Sequence, residues 1–401
     1  MSDLTYYGKK VLVRVDFNVT LNSGIIGEDY RIRMAIPTIE YLTKRGAKVI
    51  LMSHLGRPPA TATLYSSTIP STHGDYSLAP VAKRLSEIVL LNKVTFATDC
   101  IGSVVQNKID DMHMGDVLLL ENLRFHKEEE ANNLEFSEKL ASLADIYVND
   151  AFSTSHRKHA STYGAPKNFD IKVAGLNLKK EVEYLSMIRD NPIKPFTLII
   201  GGVKIKDKIG ALEHLLPKAD NLLIGGATAY TFLNVDGVRT GNSPIDNEHL
   251  SWVKNALSKF RNKIMLPTDH MVSSAQDSSS VSLVKGDIPE GMTGFDIGIE
   301  TAQMYSNQIA LKRSGTTFWN GPMGLFEIEH FANGAINIAK TMALAYWRGS
   351  KTLIGGGDTL EAMKRAGVSE GEVSHVSTGG GATLRFLAGD EMPGINVLNK
   401  A

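Results

Sequence analysis

Few folds accommodate a chain in which short apolar runs keep alternating with longer segments of helical spacing. Lys10–Val15 reads as a strand, and Ile32, Ala35, Ile36, Ile39 and Leu42 then share one helix face before Gly46 stops it. Ala47–Met52 is the next strand. Leu78–Leu90 and Leu134–Leu143 read as helices, and Val94–Ala97, Asp116–Leu120 and Asp145–Val148 as strands. Apolar strands alternating with helices predict an α/β fold whose parallel sheet is covered on both faces. The rhythm restarts after Asn191-Pro192, with strands at Phe196–Ile200, Asn221–Ile224, Lys263–Leu266, Thr316–Trp319, Lys351–Ile354 and Val373–Ser377. Leu178–Arg189 has amphipathic spacing and reads as a helix joining the halves. The Ser/Thr/Pro-rich stretch 58–76 is long for a connection.

Length and charge narrow the function. The 401 residues suit about two or three domains at ~100–200 residues each. Lys+Arg and Asp+Glu both number 43, so the formal net charge is zero, which argues against nucleic acid as the main partner. The single cysteine, Cys100, excludes an intramolecular disulfide and argues against a thiolate cluster; it reads as an inert buried side chain. The first residues, MSDLTYYGKK, carry no signal pattern, and no apolar run approaches the ~18 residues of a membrane span. The expectation is a soluble cytoplasmic protein.

In an open α/β sheet, ligands bind beyond the carboxyl ends of the strands. In the first half those positions hold Asp16 and Asn18; Ser53-His54 with Arg57; Glu121 to Arg124; and Asn149-Asp150 with His156 and Arg157. In the second half they hold glycines: Gly201-Gly202, Gly225-Gly226, Asn320-Gly321, Gly355 to Gly357 and Gly379 to Gly381. Arg and His side chains suit a small, strongly anionic ligand. Gly-rich helix N-termini suit a nucleotide's phosphates. Together they suggest phosphoryl transfer between a nucleotide and a small acid.

Within TLIGGGDTL (Thr352–Leu360), three glycines link a strand to a helix N-terminus, where unpaired N–H groups favour phosphate. Asp358 suits either a helix cap or a carboxylate holding Mg²⁺ between phosphates. Each feature has a plainer reading as well. Gly-Gly after a strand permits a tight crossing, and Asp16 and Asn18 suit turns. Lys204 and Lys208, spaced i,i+4, fit one solvated helix face, although their place after Gly201-Gly202 favours phosphate contact. The absence of G-x-x-x-x-G-K-[ST] disfavours a P-loop enzyme, and the lack of an early strand-linked G-x-G-x-x-G weakens a dehydrogenase reading.

These residues, taken in order, resemble the phosphoglycerate kinase family over essentially the whole chain. The resemblance rests on VRVDFNV (13–19), RIRMAIPTI (31–39), SHLGRP (53–58), ENLRFHKEE (121–129), NDAFSTSHRKHAS (149–161), GGVKIKDKI (201–209), WNGPMGLFE (319–327), IGGGDT (354–359) and STGGGA (377–382). It implies two Rossmann-like lobes. The first, 1–175, would bind the triose; residues 176–191 would form a connecting helix and hinge; 192–388 would bind nucleotide; and the tail 389–401 would pack back on the first lobe. It implies reversible transfer between 1,3-bisphosphoglycerate and MgADP, giving 3-phosphoglycerate and MgATP. Asp16, Asn18, Arg31, His54, Arg57, Arg124 and Arg157 would hold the triose. Gly202, Lys204, Lys208, Asn320, Glu327, Gly356, Gly357, Asp358 and Thr359 would hold the nucleotide, with Asp358 the Mg²⁺ ligand. A monomer without membrane or nucleic-acid partners is implied.

The acceptor carboxylate is already ionised at pH 7, so no general base is required. Catalysis then rests on in-line positioning and charge stabilisation after closure, with Arg31, Lys204 and the N–H groups of Gly357 and Gly380 as candidates. Thr20, Val203, Ser153 and Ile299 depart from the usual family residues, and Val203 bears on nucleotide affinity. Two other classes remain at this point: a catalytically silent nucleotide-binding scaffold, which intact Arg31, Lys204, Glu327 and Asp358 argue against, and an NAD(P)-dependent oxidoreductase.

Overall fold

In the first half of the chain, alternate residues of each apolar run enter different cores. Val11, Val13, Val49, Leu51, Val117, Leu119, Ile146 and Val148 pack on one side of a sheet. Leu12, Ile50, Met52, Leu118 and Tyr147 pack on the other. This period-2 division is what a sheet buried on both faces requires. The computed structural model describes residues 4–22, 24–59, 76–89, 93–276, 280–311 and 315–399. The stretch 60–75, most of the Ser/Thr/Pro-rich segment, lies outside the described residues.

The chain divides into two units: one runs to Val182 and regains the segment from Glu391, and the other spans Glu183–Asp390. The first unit holds a six-stranded sheet in the order Val94–Phe96, Val117–Leu119, Lys48–Met52, Lys10–Arg14, Ile146–Asn149, Lys172–Ala174. Every pairing in it is parallel. In register, Arg14 lies beside both Met52 and Asn149. The residues after these strands therefore emerge side by side. The returning segment closes the far edge: Asn149 Nδ2 donates to Gly394 O at 2.8 Å, and Lys172 N donates to Asn399 Oδ1 at 2.7 Å.

The second unit repeats the plan, in the order Ile264–Met265, Asn221–Ile224, Phe196–Ile200, Thr316–Asn320, Lys351–Gly355, His375–Ser377, again parallel throughout. Asn320 pairs with Ile200 and Gly355, which brings the glycine-bearing ends to one edge. The family resemblance anticipated this two-sheet α/β architecture, and the structure bears it out.

Three elements lie outside the sequence expectations. Lys172–Ala174 adds an edge strand of only three residues. Leu21–Asn22 and Ile25–Ile26 form a minimal hairpin. Asp269–Ser273, Ser282–Lys285 and Thr293–Ile297 make a separate antiparallel sheet. Its runs are short and mixed in polarity, so no single period marks them. The connecting helix, Leu176–Asp190, starts where Asp150 Oδ1 accepts the N–H groups of Asn177 and Leu178 at 2.9 and 3.1 Å.

Candidate active site

Asp16 follows the central strand of the first sheet and organises its carboxyl edge. Its carboxylate accepts from the Arg31 guanidinium, from Ser153 Oγ at 2.6 Å and from Asn18 N at 3.2 Å. Burial works against its ionisation, but Arg31, His54, Ser153 and the Asn18 N–H outweigh it and hold the carboxyl below its ordinary range. Asn18 Oδ1 in turn accepts Gly56 N at 2.8 Å, and Gly56 O accepts Arg124 Nη1 at 2.6 Å. Arg124 Nη2 pairs with Glu130 at 2.9 Å. One short loop thus ties together Asn18 and Arg124, residues far apart in the chain.

His54 enters this edge as a neutral group rather than a cation. Burial, Arg14, Arg124 and Arg31 push its pKa well down against the pull of Asp16. Arg14 Nη2 lies 3.1 Å from His54 Nδ1. A guanidinium only donates, so Nδ1 accepts and the ring proton sits on Nε2. Arg14 is itself 1% exposed and is held by Ser161 Oγ at 2.9 Å, which donates to Glu129 at 2.6 Å. Burial pushes the Glu129 carboxyl up, against the pull of Arg14 and Ser161. Arg57 is exposed and Arg157 half-buried, and neither forms an ion pair among the described residues. Arg157 Nε donates to His156 Nε2 at 3.1 Å.

In the second unit the glycines divide into two kinds. A Cβ on Gly201 would lie 2.1 Å from Pro322 O, and one on Gly321 would lie 2.3 Å from Gly201 O. Gly226, at φ +59°, would bring a Cβ to 2.5 Å from Gly202 N. Backbone packed on backbone demands these glycines whatever binds nearby. Gly357, Gly380 and Gly381 differ, since a Cβ there would meet nothing within 4 Å. They stand at the N-termini of the helices Gly357–Arg365 and Gly381–Ala388, where backbone N–H groups lack intrahelical partners. The open space in front of them suits a phosphate chain.

A cavity of about 320 Å³ opens in this unit. Gly202, Glu327 and Asp358 line it together with Val203, Phe295, Pro322 and Leu325. One cavity wall is fixed from behind by Asp296, which is 1% exposed and accepts Gly334 N at 2.7 Å and Ile297 N at 2.9 Å. Burial raises its carboxyl to about 8. Gly324 and Gly334 make room for it, because a Cβ on either would come within 2.3 Å of Asp296 Oδ1.

Two sequence expectations need correction here. Lys204 and Lys208 do not share a helix face. Residues 206–208 form a single 3-10 turn and the helix proper begins at Ile209, so Lys204 stays in the loop. Lys204 is exposed, while Lys208 is buried and donates from Nζ to Lys204 O at 3.1 Å. Burial lowers the pKa of Lys208, against Asp207 and Asp358. Nor does Asp358 cap its helix. Gly356 holds the N-cap position at φ +99°, and Asp358 is an exposed first-turn carboxylate. Asn320 and Thr359 are buried and fasten the loops: Asn320 Nδ2 donates to Gly355 O at 2.7 Å, and Thr359 Oγ1 donates to Gly355 O at 2.9 Å and accepts Gly321 N at 2.7 Å.

The sequence reading missed Arg14, Ser153, Ser161 and Glu129 as supports of the first edge. Arg14 had a signal, being a cation inside an otherwise apolar strand. Ser153 departs from the usual family residue, and its hydroxyl holds Asp16.

Comparison with known proteins fits this geometry. The family model described as "Phosphoglycerate kinase" matches residues 1–390. A phosphoglycerate kinase of a Picosynechococcus strain is 46% identical over 397 residues, covering 98% of this chain and 96% of that protein. One of Clostridioides difficile is 44% identical, covering 100% and 98%. The solved phosphoglycerate kinase of Coxiella burnetii aligns with a TM-score of 0.84 at 36% identity, covering 99% of this chain and 97% of that one. That of Pyrococcus horikoshii aligns with a TM-score of 0.85 at 29% identity, covering 99% and 98%.

Proposed function

The chain belongs to the phosphoglycerate kinase family, and from that premise we propose which of its residues carry the reaction. It is a phosphotransferase, moving a phosphoryl group reversibly between 1,3-bisphosphoglycerate and ADP to give 3-phosphoglycerate and ATP. The residue assignment rests on one observation above all: Arg57, Arg157 and Lys204 lie at the carboxyl edges of the sheets and form no ion pair among the described residues. Cations left without carboxylate partners suit the phosphates of the two substrates.

In this reading the first unit holds 3-phosphoglycerate. Arg57, Arg124 and Arg157 meet its phosphate and carboxylate, the neutral His54 donates from Nε2, and Asp16 and Asn18 take its hydroxyl. The second unit holds the nucleotide in the cavity lined by Gly202 and Glu327, with Lys208 and the open N-termini at Gly356-Gly357 and Gly380 on the phosphates. Asn320 and Thr359 keep those loops in place. Residues 192–388 work as the nucleotide lobe and 176–191 as the connecting helix and hinge.

The attacking carboxylate needs no base. The γ-phosphorus must come within ~3–3.5 Å of it, in line with the leaving oxygen. Arg31, released in part from Asp16, and Lys204 neutralise the equatorial oxygens of the moving group, and the N–H groups of Gly357 and Gly380 accept the charge that develops on the nucleotide side. Asp358, exposed at the cavity, fits an ion that takes one carboxylate plus phosphate oxygens, as Mg²⁺ does. Bound there, such an ion supplies neutralisation of phosphate charge. A monomeric, cytoplasmic enzyme without nucleic-acid partners completes the reading; zero net charge supports it, and no helix among the described residues is long and apolar enough to cross a membrane.

The test is ADP release from MgATP by the purified protein, with and without 3-phosphoglycerate. Release that depends on 3-phosphoglycerate is expected. Nucleotide binding without that dependence would overturn the assignment.

A further inference from the structure

A second chemical cluster stands on the first unit, and the transfer reaction makes no use of it. Asp99 and Cys100 follow the strand Val94–Phe96, and His126 follows the turn Leu123–Phe125. A carboxylate oxygen, the Cys100 Sγ and an imidazole nitrogen all lie within 4.8 Å of one another. His126 Nε2 is 2.8 Å from Asp99 Oδ1, which also accepts Cys100 N at 2.6 Å. The imidazole stacks on Phe136 with ring centroids 5.1 Å apart, so its plane is fixed. Cys100 is fully buried, while the Asp99 and His126 side chains keep 20% and 12% exposure, leaving one side of the cluster open to water.

This donor set has a definite chemical preference. One sulfur, one imidazole nitrogen and one carboxylate oxygen match Zn²⁺ and its neighbours, and poorly match Mg²⁺, which takes oxygen alone.

We propose that Asp99, Cys100 and His126 bind one divalent transition ion of the zinc class, with a water in the open fourth position. On binding, the Cys100 thiol loses its proton to solvent, the His126 ring proton passes from Nε2 to Nδ1 by exchange with water, and the His126–Asp99 hydrogen bond is exchanged for two bonds to the ion. His126 stands two residues after Arg124 and just before the helix that carries Glu130, the partner of Arg124. Drawing His126 toward the ion shifts that turn, so occupancy weakens 3-phosphoglycerate binding. This last step rests on the role given above to Arg124; the ion site itself does not.

The experiment uses the full-length protein, freed of metal with a chelator and titrated with Co²⁺ as an optical probe. The expected result is a thiolate-to-cobalt charge-transfer band that saturates at one equivalent and is displaced by Zn²⁺. The band is lost in Cys100→Ser, and Co²⁺ affinity falls more than about tenfold in His126→Gln, which leaves the buried Cys100 position untouched. No band, or a band that survives Cys100→Ser, overturns the site. In turnover assays with Mg²⁺ restored, Zn²⁺ is expected to raise the KM for 3-phosphoglycerate in the parent protein and not in Cys100→Ser; a band with an unmoved KM overturns the coupling. Chelator-treated protein that turns over no 3-phosphoglycerate once Mg²⁺ is restored, with no Zn²⁺ or Co²⁺ added, would overturn the functional reading while leaving the cobalt spectrum to decide the site.

Discussion

Replacing Asp296 by Asn should change how the second unit's stability depends on pH, and the structure sets the size of the effect. The native carboxyl titrates at about 8, against 3.8 for an unperturbed one, because it is buried with only two N–H donors and no cation. Above pH 4 the unfolded chain releases this proton and the native state keeps it, so stability falls as pH rises, by ~1.4 kcal/mol per unit. From pH 5 to pH 8 the loss amounts to about 3–4 kcal/mol, and it levels off above pH 8. An amide cannot ionise, so Asp296→Asn removes this slope. It also turns an NH₂ toward one of the two N–H donors, at a pH-independent cost of ~1–3 kcal/mol. The variant's stability relative to the parent should therefore rise by about 3–4 kcal/mol from pH 5 to pH 8, leaving the variant the more stable protein at pH 8.5. All three tryptophans, Trp252, Trp319 and Trp347, belong to the unit Glu183–Asp390, so urea unfolding followed by their fluorescence reports on it directly. Other titrating groups cancel in the difference between parent and variant. A difference that stays flat from pH 5 to 8 would refute the reasoning, because it would mean that Asp296 is ionised in the native protein.

Arg31→Ala should lower kcat by about 10²–10³-fold with nucleotide affinity unchanged; a rise in KM with kcat intact would remove Arg31 from the chemistry. Arg157→Ala should chiefly raise the KM for 3-phosphoglycerate, and an unmoved KM would count against its place in that site. The two kinds of glycine should separate cleanly. Gly226→Ala puts a Cβ against backbone at positive φ and should cost about 2–3 kcal/mol in chemical denaturation. Gly357→Ala meets nothing in the free protein and should leave Tm unchanged while raising the nucleotide KM; equal effects on Tm would show that the crowding distinction has no energetic content.

Where residues act through the regular period of a sheet, the sequence reading and the structure agree. The valines and leucines of Lys10–Arg14 and Lys48–Met52 declare a doubly covered parallel sheet by composition alone, and such a sheet places Asp16 and His54 side by side. What pattern does not encode is how side chains meet across the ends. The link from Ser153 to Asp16 joins residues 137 apart in sequence, and the neutrality of His54 comes from burial and then from Arg14, a residue that reads as part of a strand. The i,i+4 spacing of Lys204 and Lys208 was locally sound, but the tertiary loop delays the helix to Ile209 and overrides it. The antiparallel sheet around Asp269–Ser273 escaped notice because its strands are short and alternate only in part.

The route of the chain has a consequence for biosynthesis. The first unit gives up the polypeptide at Val182 and regains it only at Glu391. The bonds from Asn149 to Gly394 and from Lys172 to Asn399 therefore wait on the roughly 200 intervening residues. At ~5–20 residues per second, that wait is on the order of 10–40 s. During it, a nascent chain whose first half has already collapsed presents the Lys172–Ala174 edge without its final covering. Vectorial synthesis thus leaves the first of the two units to be begun before the second and finished after it.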